Sequence, residues 1–138
     1  MTNYRMNPKV LAAQMGIRVR TAPVPAGWWG VYDHKHQLVT LRPGLMAIQY
    51  ACTLMHELGH AHYCHVGVTP KQELLANRWA AYRLIEFDRM VEVAAHVQNS
   101  AAVAAELGVL PSVLETYLKT LTKVELGALR EAALQRAS

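Results

Sequence analysis

The chain has 138 residues, 52% of them hydrophobic, with a formal charge of +4 and a pI near 9.3. That length and apolar content suit one compact domain with its own core and argue against two. Only Cys52 and Cys64 are present, both in apolar, helix-like surroundings, so a disulfide framework is excluded and buried thiols in a reducing compartment are expected. Asn7 followed by Pro8 reads as an N-cap and first helical residue, opening a helix that Gly16 stops. Ile17 to Thr21 alternates apolar with polar and reads as a strand, and Pro23, Pro25 and Gly27 then break the chain. Trp28 to Tyr32 and Gln37 to Arg42 read as the two arms of a hairpin around the polar turn Asp33-His34-Lys35-His36. Residues 47–65 read as one helix, closed by Gly67, Thr69 and Pro70, and a second, longer helix is expected from Lys71 or Gln72 to about His96. On it Glu73, Ala76, Asn77, Ala80 and Leu84 share one face, whose small residues permit close approach. Ser100 caps a short helix that Gly108 ends, Pro111 opens another to about Leu121, and a last helix carries Leu126, Leu129, Ala133 and Leu134.

The charge is unevenly spread, ten Lys/Arg against six Asp/Glu over residues 1–95 and four against four over residues 96–138. Arg5, Lys9, Arg18, Arg20, Arg42, Lys71, Arg78, Arg83 and Arg89 stand singly and form no phosphate-tracking stripe, so direct nucleic-acid binding is not expected. The residues after Met1-Thr2-Asn3-Tyr4-Arg5 show no apolar run of a secretory signal, and no stretch reaches the length of a membrane span. A cytoplasmic location with no membrane association is the expectation.

The chemistry lies in His56-Glu57-Leu58-Gly59-His60. On a helix, positions i and i+4 share a face, so both imidazoles can reach one metal ion while Glu57 projects towards the water at its open position; this is the zincin signature. A catalytic zinc needs a third protein ligand. The metzincin spacing places Gly and His three and six residues after the second histidine, where this chain has Tyr63 and Val66. His62 and His65 lie roughly 160° to 200° around the helix from the ligand face and are poor ligands for the same ion. Glu73, thirteen residues after His60 and in the first turn of the next helix, is the better third ligand, because the loop around Gly67 to Pro70 lets that helix fold back beside the first. The expected set is therefore His56, His60 and Glu73 on Zn2+, with Glu57 as general base passing a proton from attacking water to the leaving amine. The fold class that follows is α+β: a small three-stranded sheet, antiparallel or mixed, packed on a zincin-like helical core with further C-terminal helices. Residues 1–138 make one domain, with a catalytic core over 1–97 and a helical extension over 98–138.

The run from Cys52 to Ala61, followed by Glu73-Leu74-Leu75-Ala76-Asn77-Arg78-Trp79-Ala80, resembles the ImmA/IrrE family of zinc metallopeptidases, which pairs an HELGH helix with a helix bearing E-x-x-A-N-x-F-A. Trp79 stands where Phe is usual. The resemblance covers about residues 7 to 90 and implies Glu73 as third zinc ligand. It also implies a bacterial or phage protein that cleaves, or otherwise inactivates, a helix-turn-helix repressor and so releases a mobile element or a stress response. The two Leu and a Pro that commonly follow the second motif are missing, and Tyr82 to Phe87 is expected to continue the helix instead.

Residues 101–121 have the cadence of a helix-turn-helix, yet Ser112 to Leu121 offers Lys119 as its one cation beside Glu115, so packing or substrate docking is preferred to DNA reading. His34 and His36 read as turn residues, Trp28 and Trp29 as core and sheet surface, and Tyr63 and Tyr82 as candidate oxyanion stabilisers. Two other readings compete with the endopeptidase: a non-cleaving antirepressor that keeps the zinc site as a binding module, and a DNA-binding regulator.

Overall fold

The computed structural model of the protein describes residues 4–137. Helix α1 (Pro8–Gln14) starts where its residues dictate: Asn7 is extended, and its side-chain oxygen accepts from the backbone N–H of Lys9 at 3.0 Å and of Val10 at 3.3 Å. Three strands follow, β1 (Arg18–Thr21), β2 (Gly30–Asp33) and β3 (Leu38–Leu41), in the order β1-β3-β2, with β1 parallel and β2 antiparallel to β3. The hairpin turn holds His34 and His36 as expected, and Gln37 closes it with φ 46°. Trp28 and Trp29, expected as core and sheet surface, lie just before β2 and are 44% and 37% exposed. Trp28 is held out of the ladder by a turn in which its N–H donates to the Pro25 carbonyl at 3.0 Å; the Trp29 carbonyl accepts from the N–H of Arg42, the residue after β3, at 2.8 Å. With the Trp29 carbonyl facing β3, pleat alternation turns the backbone groups of Gly30 and Tyr32 to the opposite side. Among the described residues no strand pairs there, so β2 is an edge strand.

Helix α2 (Ala47–His62) packs on α1, β2 and β3, burying Leu54, Met55 and Leu58 in the same apolar layer as Val39 and Leu41. It ends at His62, short of the expected residue 65, because the chain already turns out of the helix at Cys64, ahead of the Gly67–Pro70 segment. Cys64 adopts a left-handed φ of 55°, its N–H donates to the Ala61 carbonyl at 3.1 Å, and His65 N–H donates to the His60 carbonyl at 2.9 Å. This pair of bonds is a Schellman ending, with Cys64 in the position usually held by glycine. The reversal leaves Cys64 exposed, correcting the expectation of two buried thiols; Cys52 is buried as anticipated. Helix α3 (Pro70–Leu84) begins with a reciprocal cap: Thr69 Oγ1 accepts from Gln72 N–H at 3.2 Å, and Gln72 Oε1 accepts from Thr69 N–H at 3.1 Å. Pro70 is thereby the first helical residue and Glu73 falls in the first turn.

The described residues divide into two compact units, one over Met6–Ala80 and one over residues 81–137 that also takes in Tyr4 and Arg5. The long helix expected to run to His96 is instead two, α3 and α4 (Phe87–Ala94), separated at an extended Glu86 with ψ 132°. Burial explains the break. At about 100° per residue an unbroken helix would turn Ile85 and Val93 away from the stripe of Ala76, Ala80 and Leu84, whereas the reset at Glu86 lets Ile85, Met90 and Val93 all be buried. In the second unit α4 packs on α5 (Ser100–Leu107) and α7 (Lys123–Ala137), and α5 packs on α6 (Pro111–Thr120), around Val103, Leu107, Leu114 and Tyr117. Asn99, not Ser100, caps α5, accepting from Ala101 N–H at 2.8 Å and Ala102 N–H at 3.2 Å. On α7 the buried stripe runs through Leu129 and Ala132, which turns Leu134 outward. Among the described residues no single helix is long and apolar enough to cross a membrane; α5 and α6 pass that test only together and are bent by 95°.

Gly108 ends α5 with φ 70°, and the Arg5 guanidinium donates to the Leu107 carbonyl beside it. A Cβ at Gly108 would lie 3.3 Å from the Arg5 guanidinium in a left-handed backbone. Gly108→Ala is therefore expected to cost about 1–2 kcal/mol, read as a lowered urea midpoint with an unchanged m-value.

Candidate metal centre

Helix periodicity stacks His56 over His60 on α2, and the first turn of α3 brings Glu73 against both. His56 Nε2 and His60 Nε2 lie 3.1 Å apart, Glu73 Oε2 is 3.1 Å from the former, and Glu73 Oε1 is 2.8 Å from the latter. Ligand atoms at zinc-like distances on a tetrahedron are separated by about 3.3 Å, so the three side chains fit one ion with a small expansion. Glu57 stands a step further off, its Oε2 4.0 Å from His56 Nε2. The ligand atoms of His56, Glu57 and His60 also lie within 4.8 Å of one another, so these three can hold a metal as well. The shorter distances favour the two imidazoles and Glu73, with Glu57 beside them.

Burial sets the electrostatics. Glu57 and His60 are among the few buried polar residues, and loss of solvent raises the Glu57 carboxyl to about 8, helped by the charge of Glu73 and opposed by a hydrogen bond from the Tyr32 backbone. Burial also lowers the pKa of His56 and of His60, against the pull of Glu73. Neutral imidazoles with available lone pairs are what a metal ligand requires. A cation's charge offsets the crowding of two carboxylates, which is the chemical sense of placing them together.

What keeps the helices at this distance is small-residue packing. A Cβ at Gly59 would meet the Ala76 carbonyl oxygen at 2.9 Å and its Cα at 3.0 Å. Gly59 follows His56 by one turn and Ala76 follows Glu73 by one turn, so the contact that brings the backbones together also brings His56 and Glu73 together.

Two residues at the centre had no role in the sequence reading. Asn77 makes a side-chain hydrogen bond with His56; its place four residues after Glu73 on the same helix face was the available signal. His65 lies against His60, Nδ1 to Nδ1 at 2.9 Å. His62 stacks on Trp79, ring centroids 5.4 Å apart, which takes it away from the imidazole pair as expected. Tyr63 stacks on His65, ring centroids 5.3 Å apart and planes at 17°.

A model of the Peptidase_M78 family, described as the IrrE N-terminal-like domain, matches residues 12–119, a span that contains the sheet, the metal centre and the helices to α6. No curated protein and no solved structure matches the chain.

Proposed function

The chain belongs to the Peptidase_M78 family and carries a metallopeptidase-like domain, and from that premise we propose that it is a zinc-dependent endopeptidase in which His56, His60 and Glu73 hold the ion and Glu57 is the general base. The observation that carries this reading is the convergence of both Nε2 atoms on the Glu73 carboxylate, with a buried second carboxylate at 4.0 Å. Zinc bound there supplies Lewis acidity towards a carbonyl and a charge that lets water ionise near neutral pH. The residues do the rest. Glu57 accepts the proton of the attacking water and returns it to the leaving amine, as its isolation from solvent and its freedom from the closer ligand set allow. The edge of β2 beside Glu57, where the carboxylate already holds the Tyr32 N–H, leaves the Gly30 backbone and the Tyr32 carbonyl to meet an extended peptide by strand addition.

The substrate we propose, by the resemblance to ImmA/IrrE relatives, is a helix-turn-helix repressor, met in the cytoplasm. Incubating the chain with such a repressor, with and without chelator, and weighing the products tests this directly. Fragments that appear only without chelator are expected. Stable binding without fragments would turn the reading to a non-cleaving antirepressor. In the same preparation Glu73→Ala should lose at least about 100-fold in zinc affinity, more than the loss of a supporting residue causes; wild-type affinity in that variant would remove Glu73 from the ligand set.

A further inference from the structure

We infer that His65 is a positioning residue of the metal centre, its Nδ1 holding Nδ1 of His60 so that the His60 Nε2 lone pair is presented to the ion. The inference rests on His60 being a ligand and not on peptide hydrolysis. Its origin is the way α2 ends. In a Schellman ending the residue two beyond the C-cap folds back over the residue three before it, a pair that is usually apolar. Here those positions are His65 and His60, joined by the 2.9 Å backbone bond between His65 N–H and the His60 carbonyl. The reversal thus lays one imidazole on another, Nδ1 to Nδ1 at 2.9 Å.

Two facing ring nitrogens can share only one proton, so one donates and the other accepts. For His60 to offer Nε2 to a metal its proton must sit on Nδ1, which fixes the direction: His60 Nδ1–H donates to His65 Nδ1, and His65 carries its own proton on Nε2. The two nitrogens of a ring point apart, so a group bonded to Nδ1 of His60 stands outside the ion's reach. Stacking on Tyr63 sets the plane of the His65 ring. The other imidazole, His56, makes a side-chain hydrogen bond with Asn77.

Zinc affinity, measured by competition with a chromophoric chelator for wild type, His65→Leu and His65→Gln, tests the inference without any substrate. The Leu variant should bind about 10- to 100-fold more weakly, with the thermal midpoint of its metal-free form unchanged. The Gln variant, whose carbonyl oxygen can accept the same proton, should recover most of that loss. Nitrogen-15 NMR of zinc-loaded wild type should show a slowly exchanging His60 Nδ1–H, and this reading stands even if the Leu variant fails to fold. Equal affinity in the Leu variant, a Gln variant no better than Leu, or an unprotonated His60 Nδ1 overturns the inference. Wild type that binds no zinc overturns the ligand assignment and the inference with it, whereas zinc-binding wild type beside an unaffected Leu variant overturns the inference alone.

Discussion

Glu57→Gln is expected to reduce peptide hydrolysis by about 10²- to 10⁴-fold, the contribution of a positioned general base, while zinc content stays that of wild type. The substitution isolates one property. Gln fills the volume of Glu, and its amide oxygen can still accept the hydrogen bond that the Tyr32 backbone gives the carboxylate. What it lacks is an oxygen that can take and return a proton. Because Glu57 Oε2 lies 4.0 Å from His56 Nε2 while Glu73 approaches both imidazoles at 3.1 Å and 2.8 Å, removing the charge leaves the closer ligand set in place. The check is a turnover assay beside elemental analysis of the same preparation. Full activity with zinc bound would sink the mechanism; loss of zinc would make Glu57 a ligand instead.

Gly59→Ala should damage both the stability of the protein and the candidate metal centre. The new Cβ would stand 2.9 Å from a backbone oxygen and 3.0 Å from a backbone Cα of Ala76, and neither can swing aside as a side chain could. The helices must separate, at a cost of about 1–3 kcal/mol for overpacking a filled interface. Separation also draws Glu73 away from His56 and His60, so zinc affinity should fall along with the thermal midpoint. Ala76→Gly should not rescue the variant, since the clash is with the Ala76 backbone and not its methyl group. A Gly59→Ala protein with wild-type midpoint and zinc affinity would show that this contact does not set the distance between the ligands.

Much of this arrangement was legible because it depends on local rules. Asn7-Pro8 and Gly108 punctuate helices by backbone chemistry alone, and the spacing of His56, His60 and Glu73 follows from helix geometry plus one reversal. The small face of α3 was readable as a close-approach surface; that Gly59 lies under it depended on knowing how the helices cross. The break at Glu86 had no proline or glycine to announce it and arises from where Ile85, Met90 and Val93 find cover, which is a tertiary property. Cys64 hid the end of α2 for a related reason: a left-handed turn at a non-glycine residue leaves no compositional mark. On a continuous helix His65 would point away from the face of His56 and His60, and its contact with His60 exists only because that helix stops.

The outer edge of β2, which no further strand covers among the described residues, bears on which segments such a centre could attack. The strand is four residues long, so it can order only a short stretch of another chain, and only one that is already extended. A backbone inside a helix has its N–H and C=O groups engaged and cannot offer them to the edge. Selection by this route would be by local looseness more than by side-chain identity: an extended segment would fit and a helical one would not.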